Sequence, residues 1–175
     1  MRKFAIGVLS VLMVACFAAV ALAQGNPRGT STLTLKGKTV SVEYGRPSLK
    51  GRTTDALLGG LKAGGLWRIG ADKSTTFKTA GDLAFGDVTI PAGEYSIWMQ
   101  RQEDNSWKLL FDQKHGQWGA PAPDASEAFA SVPLSATNAT APVEMVTITL
   151  HKAGGGGELV IEWGTLKASA TFKAK

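Results

Sequence analysis

The chain has 175 residues, with 21 Gly, 7 Pro, five Trp, a single Cys and a formal net charge of +5. One cysteine excludes a disulfide framework within the chain. A chain that is 44% apolar is too rich in core-forming residues for collagen-like or disordered composition. The length suits one domain, since domains run to about 100–200 residues.

Residues 1–23 read MRKFAIGVLSVLMVACFAAVALA. Arg2 and Lys3 form a short positive start, an apolar run follows from Phe4, and Ala21-Leu22-Ala23 is a small-x-small end. This pattern predicts a secretory signal peptide cleaved before Gln24. Two other readings use the same residues. Uncleaved, the run is long enough to span a bilayer. Met13-Val14-Ala15-Cys16 resembles a lipoprotein box that would anchor the chain through Cys16, although Phe17 to Ala23 stays apolar where such a chain usually turns polar. Cleavage leaves 152 residues with 17 Lys/Arg against 14 Asp/Glu, a charge of +3, and no cysteine. The mature protein then has no thiol nucleophile and no span across a membrane. Its stability comes from a core, and a chain of this size buries roughly 68–70% of its unfolded surface.

After a flexible lead at 24–31, period-two alternation dominates. Leu33 and Leu35, then Val40, Val42 and Tyr44, predict a hairpin over 32–45 turning at Lys36-Gly37-Lys38. Thr53 to Leu58 reads as one or two helical turns, capped by Thr53 or Thr54 and stopped at Gly59-Gly60. Val88 and Ile90 lead to a Pro91-Ala92-Gly93 turn; Tyr95, Ile97 and Met99 follow, and Trp107, Leu109 and Phe111 come after a polar turn at Glu103-Asp104-Asn105. Residues 120–127 read as loop. Val143 to Leu150 alternates again, Gly154 to Gly157 reads as a four-glycine loop, and Leu159–Trp163 with Leu166–Phe172 predicts a last hairpin about Gly164. The expectation is an all-β fold: one antiparallel β-sandwich or barrel-like domain over 32–175, of about nine to eleven short strands.

Charge is uneven. Residues 24–80 carry ten Lys/Arg against Glu43, Asp55 and Asp72, whereas residues 81–175 carry seven against eleven acids. Gly37-Lys38-Thr39 resembles the end of a phosphate loop, but Thr32 stands where the first Gly belongs. There is no G-x-S-x-G elbow. Asn138-Ala139-Thr140 fits a glycosylation pattern that is common by chance. His115 and His151 are far apart, so a metal site would have to join His115 to Asp112 and Glu94, and no metal or cofactor is implied. A charge of +3 without a basic stripe argues against nucleic acid.

Three segments are distinctive. They are Tyr44-Gly45-Arg46-Pro47-Ser48-Leu49-Lys50-Gly51-Arg52, then Leu66-Trp67-Arg68-Ile69-Gly70-Ala71-Asp72 running to Thr75-Thr76-Phe77, then Pro91 to Ile97 with Phe111-Asp112-Gln113-Lys114-His115-Gly116-Gln117-Trp118-Gly119. In this order, behind a signal peptide, they resemble a bacterial family catalogued as domain of unknown function 2911, from about Thr32 to Phe172. The chain departs from the family pattern at Asp72, where members tend to carry Asn, and at Ala120-Pro121-Ala122-Pro123, where a tyrosine is usual. The family has no established activity, so the resemblance implies setting and not mechanism.

Arg46, Lys50, Arg52 and Arg68 concentrate cations whose guanidinium forks suit carboxylate or phosphate. Trp67 and Trp118 offer flat faces for a sugar ring, a peptide or a neighbouring Arg. The leading expectation is therefore an exported binding or accessory module that engages a small anionic ligand, a glycan or an envelope partner through Arg46, Lys50, Arg52, Trp67, Arg68 and Trp118. A second is a hydrolase or lyase using Asp72, Glu94, Asp112 and His115 as an acid–base set. A third is a purely structural domain, in which the Arg residues pair with Glu43, Asp72 or Glu94 and the Trp residues belong to the core.

Overall fold

The structure, a computed structural model, describes residues 25–175. The expected signal peptide and Cys16 lie outside the described residues. No helix among the described residues is long and apolar enough to cross a membrane.

The described residues form a single antiparallel sheet. Its strands are β1 (Arg28–Leu35), β2 (Lys38–Gly45), β3 (Leu66–Trp67), β4 (Thr76–Thr79), β5 (Leu83–Phe85), β6 (Val88–Ile90), β7 (Gly93–Arg101), β8 (Trp107–Asp112), β9 (Ala130–Ala153) and β10 (Gly156–Ala174). They lie in the order β1-β2-β4-β7-β8-β9-β10-β5-β6, with β3 added to β7. The one α-helix among the described residues, α1 (Thr54–Leu58), is capped by the Thr53 hydroxyl, which accepts from Ala56 N. β1 starts at Arg28, so four residues of 24–31 pair with the end of β2. The β1–β2 turn is Lys36-Gly37, both at positive φ.

The C-terminal third differs from the sequence expectation. β9 and β10 pair from Gly156↔Ala153 to Ser169↔Ser135 as one long ribbon. The turn is Gly154-Gly155 alone, and Gly156 and Gly157 already belong to β10. Gly164 is not a hairpin turn. It sits at φ +56 in a bulge, where the register slips on either side. A bulge adds an unpaired residue and bends the strand. The bend brings the ends of β10 together: a Cβ on Gly156 would lie 2.1 Å from Phe172 O.

The sheet thus curls on itself in a barrel-like way. Beyond β2, Leu49 N donates to Glu144 O (2.9 Å) and Val146 N to Pro47 O (3.1 Å), which ties the exit of β2 to β9. Tyr44 from β2 reaches across the core, where its hydroxyl accepts from Ile148 N (2.9 Å) and donates to Ile148 O (3.2 Å). The alternating apolar residues all point into this interior: Val40 and Val42 from β2, Phe77 from β4, Ile97 and Met99 from β7, Leu109 and Phe111 from β8, and Ile148, Leu159, Ile161 and Phe172 from β9 and β10. Phe111 lies edge-on to Phe77 and Tyr95, at 5.6 and 6.0 Å between ring centroids.

Candidate functional site

The R-P-S and W-R-x-G-A segments meet because the backbone at Gly45 crosses residues 70–71. A Cβ on Gly45 would lie 2.1 Å from Ala71 O, so no larger residue fits there. The chain after Trp67 is tightly folded. Ile69 is fully buried at φ +51, a conformation that β-branched residues rarely adopt. It is held by Thr75 Oγ1, which donates to Ile69 O (3.0 Å). Such strain persists only where the surroundings over-determine it.

This crossing opens a cleft of about 310 Å³, lined by Arg52, Trp67, Arg68 and Trp163 with Pro47, Leu57, Leu58, Gly70, Ala71 and Asn26. The volume is at the lower end for small-molecule sites, roughly 300–1,000 Å³. Trp67 and Trp163 stack at 5.6 Å and 11°. Trp163 is 6% exposed, and its indole N–H has no hydrogen-bond partner among the described residues. The cleft has two arginines in its lining and no acid. Arg52 donates to Leu49 O (2.8 Å) and Ser48 O (3.3 Å). Arg68 is half-buried as a residue, and its guanidinium makes no hydrogen bond or ion pair among the described residues. Its side chain passes Gly119, where a Cβ would lie 3.0 Å from Arg68 Cδ.

Three of the six expected ligand residues, Arg52, Trp67 and Arg68, therefore share one concave surface. Trp118 is adjacent to Gly119 and 60% exposed. Arg46 and Lys50 stand apart from the cleft lining. Arg46 donates to Val146 O (3.1 Å) and Thr147 Oγ1 (3.2 Å), a role that ties β2 to β9. Lys50 is exposed, and its backbone N–H donates to Glu144 Oε1 (2.9 Å).

The acid–base set is only partly assembled. Glu94 Oε2 lies 3.5 Å from His115 Nδ1, and its other oxygen pairs with Lys78. Asp112 pairs with Ser96, two residues along β7 from Glu94, and its carboxylate accepts from Lys114 N (2.9 Å). Asp72 is engaged elsewhere: its Oδ2 accepts from Asn26 N (2.8 Å). Its φ of +63 favours Asn or Asp over most residues. The Lys78 ammonium, by hydrogen bond and by charge, holds the Glu94 carboxyl below the usual carboxylate range. A general acid needs the opposite shift. No group of three or more His, Cys, Asp or Glu among the described residues could hold a metal ion.

Sequence reasoning missed Trp163, Leu57, Leu58 and Asn26. Trp163 is 96 positions from Trp67, and period-two patterning cannot show which distant strands meet. The one signal for it was Gly164 beside a Trp, which reads equally as a turn.

The family described as Protein of unknown function (DUF2911) matches residues 26–172, and the chain belongs to it. No curated protein and no solved structure matches the chain.

Proposed function

We propose that this family member is an exported binding module of the bacterial envelope that takes a small anionic ligand in the Arg52–Arg68 cleft. The N-terminal segment supports export, because a positive start, an apolar run and a small-x-small end form a secretion signal. The observation that carries the binding reading is the Arg68 guanidinium, which lines the cleft beside the Trp67–Trp163 stack without a protein partner among the described residues. Its nitrogens are not sealed from solvent, so they are open to an anion. A carboxylate or phosphate would satisfy it bidentately. The tryptophans and Leu57 and Leu58 would cover the apolar part of such a ligand, as in most small-molecule sites.

Titration calorimetry with small carboxylates and phosphates tests the reading, using protein purified from an exporting host. Arg68→Ala is expected to weaken any detected binding at least about ten-fold, the scale of one lost charge-assisted hydrogen bond. Binding that is unchanged in both Arg68→Ala and Trp67→Ala places the ligand elsewhere.

A further inference from the structure

The end of the barrel opposite the cleft carries a rim of lysines. β1 runs from Arg28, two residues after the cleft residue Asn26, to Leu35, and β2 returns from Lys38. The Gly154-Gly155 turn between β9 and β10 reaches the same far end, where Leu35 and Gly154 line one hollow. Five lysines converge there. Lys36 Nζ donates to Ala174 O (2.9 Å), which brings it to the strand end that carries Lys173 and Lys175. Lys36 and Lys152 line the hollow, of about 420 Å³, and no acid lines it. A Cβ on Gly156 would lie 3.1 Å from Lys173 Cγ, so Lys173 stands behind the same turn. A Cβ on Gly81 would lie 3.0 Å from Lys38 Cγ, and Lys175 N donates to the adjacent Asp82 O (3.0 Å), which brings Lys38 and Lys175 to one loop.

All five lysines are exposed, and none forms an ion pair among the described residues. The neighbouring acids are turned to other work. Asp82 accepts from Ala92 N (3.0 Å), and Glu158 pairs with His151 (3.1 Å). Asp87 stands in the β5–β6 turn, and with Asp82 and the carboxylate of Lys175 it leaves the five ammonium groups in excess. The exposed large hydrophobic side chains among the described residues, Trp118 and Phe129, belong to neither turn. The rim therefore acts by charge, with no side chain to bury in hydrocarbon and none on which a base could stack.

From this juxtaposition we propose that the lysine rim docks the protein on an anionic phospholipid surface, with a headgroup phosphate between Lys36 and Lys152 and further headgroups at Lys38, Lys173 and Lys175. A single small anion in the hollow would reach Lys36 and Lys152 and leave the other three lysines, which lie outside its lining, unused. A plane of headgroups engages them together. Each lysine close to an anionic leaflet tightens binding roughly five-fold. The eight residues of β1 hold the two ends about 23 Å apart, at roughly 3.3 Å per residue. Docking by the rim thus leaves the cleft facing away from the membrane, and it does not depend on what the cleft binds.

The test is co-sedimentation of protein from an exporting host with vesicles of mixed phosphatidylglycerol and phosphatidylcholine, against vesicles of phosphatidylcholine alone. Binding is expected to the mixed vesicles only, and to fall away by about 0.5 M salt, where surface charge is screened. Lys36→Gln with Lys152→Gln should weaken it about 10–30-fold, the effect of two lysines. Lys62→Gln with Lys108→Gln removes the same charge from exposed lysines outside the rim and should change it by no more than about two-fold. Lys152 makes no side-chain hydrogen bond among the described residues, so Lys152→Gln alone serves if the double variant fails to fold, with a loss of roughly five-fold. Arg68→Ala should bind the vesicles as wild type does, which separates the rim from the cleft. Equal binding to phosphatidylcholine alone, or equal losses in the rim and control variants, overturns the proposal. So does inorganic phosphate or heparin that binds with the Lys36 and Lys152 dependence while vesicles do not, since the rim then takes a free anion or a polyanion.

Discussion

Gly164 is the position where fold and cleft are most tightly coupled, and Gly164→Ala tests that coupling. Three physical effects act together. The residue sits at φ +56, where a Cβ costs about 1–2 kcal/mol. The new Cβ would lie 2.2 Å from Thr54 Oγ1, so α1 or β10 must shift. That shift breaks the hydrogen bonds of the buried Thr54 hydroxyl, which donates to Trp163 O (3.2 Å) and accepts from Thr165 N (3.3 Å). Each is worth about 0.5–1.5 kcal/mol. The expected loss is about 3–5 kcal/mol, read as a lower midpoint in urea with unchanged slope, or as a fall of about 10 °C in Tm. Thr54→Ala removes the oxygen that clashes. The double variant should therefore be less destabilised than the two single losses added together, by about 1 kcal/mol or more. A Gly164→Ala protein within about 1 kcal/mol of wild type, or strictly additive losses, would refute the reasoning.

The remaining predictions concern residues whose roles the structure separates. Arg46→Ala should lower stability by about 1–3 kcal/mol, since two hydrogen bonds to β9 go with it, while anion affinity by calorimetry stays within about two-fold of wild type. Asp72→Asn should leave Tm within about 2 °C, because Asn tolerates positive φ and its carbonyl can accept from Asn26 N. Asp72→Ala should cost about 1–2 kcal/mol in a urea titration, having neither property. Lys78→Ala should raise the Glu94 pKa toward the ordinary carboxylate value, seen by carboxyl-carbon NMR titration. The sign follows from linkage. A carboxyl lowered by Lys78 favours the folded state above its unfolded pKa and loses that contribution as the pH falls. The variant should therefore lose less stability on acidification than wild type.

Alternation made much of the sheet legible. Leu33 to Tyr44 alternate between core and surface as pleating requires, whereas in Tyr95 to Met99 and Trp107 to Phe111 the alternate apolar residues enter the core while Ser96, Trp98 and Leu110 between them are buried as well; the stretches form β1, β2, β7 and β8. The helix was legible through chemistry instead, with Thr53 as its cap and Gly59 at its end. The misreading at Gly164 has a physical cause. A glycine at positive φ serves a tight turn and a bulge equally well, and only the partner strand decides between them. Here β9 runs past it unbroken. The candidate site divides in the same way. Arg68 and Trp67 are neighbours in the chain, so their shared location was readable. That Arg46 would turn to Val146 and Thr147, or that Trp163 would stack on Trp67, depends on contacts about 100 residues apart in sequence, and no local pattern encodes them.

The proposed ligand is an acid that occupies the cleft between Arg68 and the Trp67–Trp163 stack. The five tryptophans make it testable in one spectrum, because each gives one indole N–H resonance. On addition of a small carboxylate or phosphate that binds in calorimetry, the Trp67 and Trp163 signals should shift in a saturable way. Trp98, whose N–H donates to Ser96 Oγ in the interior, and Trp107, beneath Arg101, should stay in place. Shifts confined to Trp98 and Trp107, or none at saturating ligand, would contradict the account.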